Sequence, residues 1–539
     1  MRPANHAGKD TMNFEERELY RTGRSTNFGH AAVATSEPLA VQAGINVLRK
    51  GGNAVDAAIA TAAVLTVTEP VSNGLGSDAF ALIWDGDTLH GLNASGRAPA
   101  GWTPERYGDA TAIPINGWDA ATVPGAVSAW KALSDKFGAL SFGDLLTDAI
   151  RIAREGYGVG PVTAISWANQ VQRFKDSASW RETFLPGGNA PKAGQLFKMP
   201  GAADALELIA VSGGDAFYHG VIAEEIVRQS KAEGGAISMD DLAGHTVDWV
   251  DPIAMDAFGV TTHEIPPNGQ GITALIALGL LDRLDLGDDP DGVRALHLEL
   301  EAVKLAMADT AAHVADLAHM RISAADLLDP AYLDERVKLI DPDKAADPVT
   351  GIQQPGGTIL LTTADRDGMM VSFIQSNYMG FGSGCVVNKY GISMQNRGAG
   401  FSLDRKSPNI VAPGKRPFHT IIPGFVTKDA GPLMAFGMMG GPIQAQGHAQ
   451  LVTRMIRFGQ PVQAAIDAPR FRCLGGRKVA LEASLQGETQ AALAAMGHEI
   501  QNDAPGVAFG FGGAQAIMRV GDLYAAGSDT RKDGYAAVL

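Results

Sequence analysis

Cysteine is nearly absent. The 539 residues contain two, Cys385 and Cys473. That excludes a disulfide framework, and a cytoplasmic location is the expectation. Neither cysteine lies in a Cys-x-x-Cys pair and the 12 histidines are scattered, so spacing reveals no metal site. No apolar run reaches bilayer-crossing length, and residues 1–28 lack the apolar core of a secretory signal. Positive charge is in deficit: 44 Lys and Arg stand against 59 Asp and Glu, for a net charge of −15. That argues against non-specific nucleic-acid binding, and neither nucleic acid nor membrane is an expected partner.

What is present is ordinary globular material, 45% hydrophobic and 19% charged, with 65 glycines. The chain is too long for one ordinary domain, although two packed halves sharing a core would accommodate it. Residues 1–28 read as a lead-in. A strand follows at 31–35, helices at 36–50 and 53–66, a loop at 69–78 in which Asp78 reads as a turn residue, and strands at 79–84 and 88–92. From 118 to 340 the pattern is mainly helical, with apolar spacing near 3.6 at 126–137, 142–155, 202–212, 221–233, 272–280 and 293–313. His297, Glu299, Glu301 and Asp309 on the last of these read as a solvated face. Residues 345–357 read as linker. Beyond them come strands at 369–375, 421–427, 433–437 and 514–520, with a helix at 444–458. A single sheet formed by both ends and covered by helices is the economical arrangement. Cys385 reads as a small buried hydrophobe.

One stretch organises the rest: Gly356-Gly357-Thr358 runs into an apolar strand, an Asp365-Arg366-Asp367-Gly368 turn and a return strand reaching Ser376-Asn377-Tyr378. Locally this is also what any loop-to-strand junction looks like. The functional reading is that Thr358 is a hidden nucleophile. A threonine hydroxyl needs a base, and the α-amino group of the same residue can serve once the preceding peptide bond is cut. Glycine before it permits the strained backbone that self-cleavage demands.

A set of stretches, in order, resembles the γ-glutamyltransferase (γ-glutamyl transpeptidase, glutathione hydrolase) family. They are Thr35-Ser36-Glu37-Pro38, Gly51-Gly52-Asn53-Ala54-Val55-Asp56, Glu69-Pro70, Gly96-Arg97-Ala98-Pro99, Val123-Pro124-Gly125, Ala153-Arg154-Glu155-Gly156-Tyr157, Pro266-Pro267-Asn268-Gly269-Gln270-Gly271, Arg416-Pro417, Gly440-Gly441, Ala468-Pro469-Arg470-Phe471 and Ser528-Asp529. The resemblance implies an α+β fold, the four-layer αββα sandwich of N-terminal nucleophile (Ntn) hydrolases. It implies a proenzyme cut between Gly357 and Thr358 into a large chain (29–357 after the lead-in) and a small chain (358–539). These form a heterodimer that can pair into a tetramer. It implies a Thr358 acyl-enzyme, a Ser376 hydroxyl beside the nucleophile, and Gly440 and Gly441 as the oxyanion hole. No cofactor and no metal are implied.

Departures from the family pattern narrow the substrate. The aspartate that grips a substrate α-amino group falls on Gly400, in Asn396-Arg397-Gly398-Ala399-Gly400-Phe401-Ser402. His419-Thr420 replace paired serines. Arg97 is the nearest arginine to the family's carboxylate ligand, two positions off, and Arg397 is a second candidate. Either Asn377 or Tyr378 faces the nucleophile. Without an anionic partner a buried ammonium is costly, whereas arginine can still fork a carboxylate. The expected substrate is a small carboxylate-bearing amide such as oxamate, which one branch of the family hydrolyses. Two alternatives stand: a conventional glutathione hydrolase, and an unprocessed relative acting as a binding protein.

Overall fold

The computed structural model describes residues 24–348, 357–485, 487–501 and 510–539. At its centre lies the strand Gly357–Ala364, buried at every position. Successive side chains of a strand point to opposite faces, so one apolar run serves two cores. Leu360 joins Phe80, Ile374, Phe425, Ala435 and Ile517. Ile359 and Leu361 join Val55, Ile59, Val371 and Phe373 on the opposite face.

Two seven-stranded sheets stack against each other. One runs Tyr535–Val538, Ala32–Thr35, Gly357–Ala364, Met370–Tyr378, Asp78–Trp84, Leu89–Asn93 and Asp248–Val250. The other runs Asn27–Gly29, Leu523–Ser528, Gly513–Val520, Gly431–Met439, Gly424–Lys428, Val260–Glu264 and Ile253–Ala257. Every pairing in them is antiparallel. Leu360 and its neighbours fill the space between the sheets, and the Ser372 hydroxyl crosses it to Phe436 O at 2.8 Å.

Helices cover both outer faces. Ala54–Thr68 is buried along its whole length and is started by a capping box between Asn53 and Asp56. Its alanines allow close approach to Pro38–Arg49 and to the sheet beneath. Thr363 Oγ1 donates to Ala54 O at 2.7 Å and Asp365 accepts from Ala54 N at 2.9 Å, tying helix to strand. On the far side Gly271–Asp282, Val293–His313 and Ile443–Val452 pack on Val426, Met434, Phe436 and Met438. The layers are helix, sheet, sheet, helix: the α+β, αββα sandwich of the N-terminal nucleophile hydrolases.

Several expectations need correction. The central layers are two seven-stranded sheets, not one, and each draws on both ends of the chain. To these two sheets the helical middle contributes three strands, Asp248–Val250, Ile253–Ala257 and Val260–Glu264. The helix expected at 142–155 breaks into Phe142–Leu145 and Thr147–Glu155. The one expected at 444–458 is Ile443–Val452 followed by a wider π-type turn. The lead-in already forms structure at Asn27–Gly29, which pairs with Leu523–Ser528. Of the 345–357 linker, 349–356 lies outside the described residues. Ala345 and Ala346 are held, by Met496 O (2.8 Å) and by Glu301 and Lys304 (2.9 Å each). His297, Glu299, Glu301 and Asp309 are buried rather than solvated, because the helix carrying them lies beneath Phe471, Val479 and Leu493. Cys385 is buried as expected, its thiol pushed up to about 12 by burial. Among the described residues no helix is long and apolar enough to cross a membrane.

Candidate active site

Thr358 is fully buried and sits at a break in strand register. Gly357 pairs with Tyr378 and Ile359 with Gln375, so Ser376 and Asn377 both stand opposite Thr358. Two residues facing one is a β-bulge, a device that re-aims side chains. Tyr378 ends the bulged strand at φ +76°, a left-handed conformation uncommon for a residue with a side chain. The bulge brings three groups together. Thr358 Oγ1 donates to Ser376 Oγ at 3.1 Å, Ser376 Oγ donates to Gly357 O at 2.6 Å, and Tyr378 N–H donates to Ser376 Oγ at 2.8 Å. The Ser376 hydroxyl is thereby saturated, with one donor and two acceptor positions used.

The second wall comes from the other sheet. Strand Gly431–Met439 ends in Gly440 and Gly441, at φ +125° and +73°, and Pro442 leads into helix Ile443–Val452. Only glycine takes those angles cheaply. The positive end of the helix is therefore presented where negative charge can be received. Gln444, in its first turn, donates from Nε2 to Thr358 Oγ1 at 3.2 Å and accepts from Ile422 N–H at 3.1 Å. Gln270 Nε2 bridges Gly441 O (3.1 Å) and Thr420 O (2.6 Å).

Thr420 leads to the third component. Its hydroxyl accepts from Arg397 Nη1 at 2.8 Å, and the Arg397 guanidinium lies 4.6 Å from the centre of the Tyr378 ring. Arg397 is 1% exposed, yet its Nε and Nη2 have no hydrogen-bond partner among the described residues. Burial lowers its pKa to about 10, so it remains a cation at neutral pH. Asp78, reading as a turn residue in the sequence, is instead the fully buried first residue of strand Asp78–Trp84. Its carboxylate accepts from Gly96 N–H (3.0 Å) and bonds His419 Nε2 (3.1 Å). Burial pushes it up to about 7, opposed chiefly by the Arg397 charge. His419 Nδ1 accepts from Ile421 N–H at 3.3 Å, which assigns the ring proton to Nε2. Burial, and then the charges of Arg397 and Arg416, hold His419 well below its usual pKa, so the ring is neutral.

The structure therefore assembles Thr358, Ser376, Gly357, Tyr378, Arg397, Thr420, His419, Gly440 and Gly441 around one place. Asn377 turns the other way: its side chain accepts from Ser77 at 2.8 Å and donates to Ser393 at 2.9 Å. Of the pair, Tyr378 is the one whose backbone N–H reaches Ser376 and whose ring lies against Arg397. Arg97 also points elsewhere. Its guanidinium, about a third exposed, meets Thr246 O at 3.3 Å and Asp248 at 3.4 Å, beside Arg416. Sequence reasoning missed Gln444 and Gln270 and misread Asp78. Gln444 had a signal, since a helix starting directly after Gly440-Gly441 places its first turn at the same end of the sheet. A separate buried trio, His297, Glu301 and His498, has ligand atoms within 4.8 Å of one another and the residue types to hold a metal ion. The Lys304 ammonium, 2.5 Å from Glu301, already supplies a cation there.

Residues 40–539 match the γ-glutamyltranspeptidase family. An oxamate amidohydrolase proenzyme of Klebsiella pneumoniae is 37% identical over 524 residues, 94% of this chain and 98% of that protein. A glutathione hydrolase proenzyme of Bacillus subtilis is 31% identical over 497 residues, 87% and 84% of the two chains. The solved structure of a cephalosporin acylase from Bacillus halodurans aligns with a TM-score of 0.92 and 44% identity, over 97% of this chain and 98% of that one.

Proposed function

The chain belongs to the γ-glutamyltranspeptidase family and is an amide-bond hydrolase or acyltransferase, and from that premise we propose that it matures by cutting itself before Thr358 and then hydrolyses a small amide bearing a carboxylate, with oxamate as the model substrate. In maturation the Thr358 oxygen attacks the Gly357 carbonyl carbon. Its proton passes towards Ser376, whose own hydroxyl donates to Gly357 O. The C–N bond breaks, the nitrogen takes a proton and becomes the α-amine of Thr358, and water hydrolyses the ester. The products are a large chain ending at Gly357 and a small chain of 182 residues (539 − 357), held together as a heterodimer.

In turnover that α-amine is the base. Thr358 attacks the substrate carbonyl, and the backbone N–H groups around Gly440 and Gly441 receive the oxyanion with support from the helix behind them. Ammonia leaves, and water releases the acyl group from Thr358.

The observation that carries the substrate class is Arg397. The Nε and Nη2 edge of a guanidinium is a two-pronged donor that matches a carboxylate. Leaving it buried without a partner is costly unless a ligand completes it. Among the described residues, the carboxylate expected to hold an α-amino group is missing. Gly400 stands where the family has its aspartate, and the nearby Asp78 carboxylate is already engaged by Gly96 and His419.

Intact-mass measurement on the wild type beside Thr358→Ala tests the nucleophile: two fragments meeting at Gly357–Thr358 are expected, and one full-length mass in the variant. Ammonia release from oxamate, compared with release of a γ-glutamyl anilide, tests the substrate class. Turnover of the anilide with none of oxamate rejects it. A chain that stays whole in both proteins and turns over neither compound favours the binding-protein reading.

A further inference from the structure

We propose that Gln444 is a catalytic residue: its side-chain N–H holds the Thr358 oxygen as the acyl-enzyme ester breaks. The inference rests on Thr358 being the nucleophile. The orientation of the Gln444 amide is determined by its neighbours. A peptide N–H can only donate, so the Gln444 atom that meets Ile422 N–H at 3.1 Å is the carbonyl oxygen, and the NH2 group faces Thr358 Oγ1 at 3.2 Å. The group is fully buried and stands in the first turn of the helix that follows the glycine pair. Gln444 cannot be a base, because it donates.

The valence of Thr358 Oγ1 shows what a donor does there. The hydroxyl proton goes to Ser376, and one lone pair accepts from Gln444. The second lone pair is left to attack a carbonyl carbon. Once the ester has formed, Oγ1 keeps the lone pair that faces Gln444. In deacylation water adds to the acyl carbon and its proton goes to the α-amine. The C–Oγ1 bond then breaks, its electron pair stays on Oγ1, and the α-ammonium returns the proton to it. Gln444 transfers nothing. A hydrogen bond from a buried donor favours the more negative form of its partner, so it lowers the barrier to the departure of Oγ1. The same argument covers hydrolysis of the Gly357 ester during maturation.

The test uses Gln444→Met, which keeps the length of the side chain and loses the donor. With oxamate, kcat should fall about 100-fold, the typical cost of one lost donor at a reacting oxygen. KM should fall with it, because deacylation becomes limiting, and acid-quenched protein should carry an acyl adduct on Thr358. If maturation stalls instead, the full-length chain should be split by hydroxylamine at Gly357–Thr358. Unchanged kcat, a loss with no adduct and constant KM, or a stalled chain that resists hydroxylamine overturns the proposal. Gln444→Glu supplies a second reading. Protonated it is a donor and ionised it is not, so its activity relative to wild type should decline with rising pH. A flat ratio overturns the assignment. Turnover by Thr358→Ala in the same series rejects the nucleophile itself, which separates the two failures.

Discussion

Arg397 carries an asymmetry inside a single side chain: one nitrogen is satisfied by Thr420, and the other two are buried with no hydrogen-bond partner among the described residues. Recognition then depends on a fork and not merely on charge. Arg397→Lys keeps the charge and loses the two parallel donors, so kcat/KM for oxamate should drop about 10- to 100-fold, the worth of one or two charge-assisted hydrogen bonds. Arg397→Met should cost more. For oxamide, in which the carboxylate is replaced by a neutral carboxamide, neither substitution should matter much. Equal losses on both compounds would mean that Arg397 supports the fold of the site and not the anion. At this scale the sequence was informative where chemistry is tied to residue type. Thr358 could be singled out because its own α-amine can activate a hydroxyl once the bond before it is cut, whereas Ser376 and the Gly440-Gly441 pair were named through the resemblance to the γ-glutamyltransferase family. Asp78 could not, because Gly76-Ser77-Asp78 has the composition of a turn and only the tertiary structure buries it against His419.

Helix Val293–His313 illustrates the same difficulty at the level of an element. Its polar residues recur at helical spacing and so imitate a wet face, yet Glu299 is 3% exposed and Lys304 fully buried, because a further layer of chain covers them. Burial drives Glu299 up to about 8. Its folded pKa is raised, so below the unfolded value of about 4.3 the proton is bound in both states and the full contribution to stability is present. As pH rises through 8 the folded state must bury the ionised carboxyl, and that contribution is lost. Wild type and Glu299→Gln should therefore melt together near pH 4.5, diverge in favour of the glutamine variant as pH rises, and keep a constant gap above pH 8. A gap independent of pH would place a solvated carboxylate at 299. The strands at 253–264 were missed, although a short turn marks them. Ile253–Ala257 and Val260–Glu264 flank Phe258-Gly259, both at positive φ (+55° and +79°), which is a two-residue hairpin. The helical character of the segments around them hid it. That two sheets form rather than one lay beyond the sequence, since period-two alternation shows that a strand is buried but not which strands it joins.

For the whole molecule, the decisive feature is how the sheets are shared across the proposed cut. Among the described residues, five antiparallel pairings join the chain before 357 to the chain after it. Ala32–Thr35 lies between Gly357–Ala364 and Tyr535–Val538, Asp78–Trp84 pairs with Met370–Tyr378, Val260–Glu264 with Gly424–Lys428, and Asn27–Gly29 with Leu523–Ser528. Both outer cores mix the two chains as well: Val371 and Phe373 with Val55 and Ile59 on one side, Phe436 and Ile443 with Ile276 and Leu300 on the other. Neither chain can keep a complete sheet or a closed core without the other, since parting them would expose unpaired strand edges and the apolar face beneath. Cleavage should therefore leave the native mass on size exclusion unchanged, and the two fragments should separate only under denaturing conditions. The processed protein should unfold in one transition recorded by both chains. Fragments that separate in native buffer, or that melt independently, would mean that the shared sheets do not hold the chains together. The strand that carries Thr358 would then lose its neighbour Ala32–Thr35, which belongs to the large chain, while Gly440, Gly441 and Gln444 stay with Thr358 on the small chain.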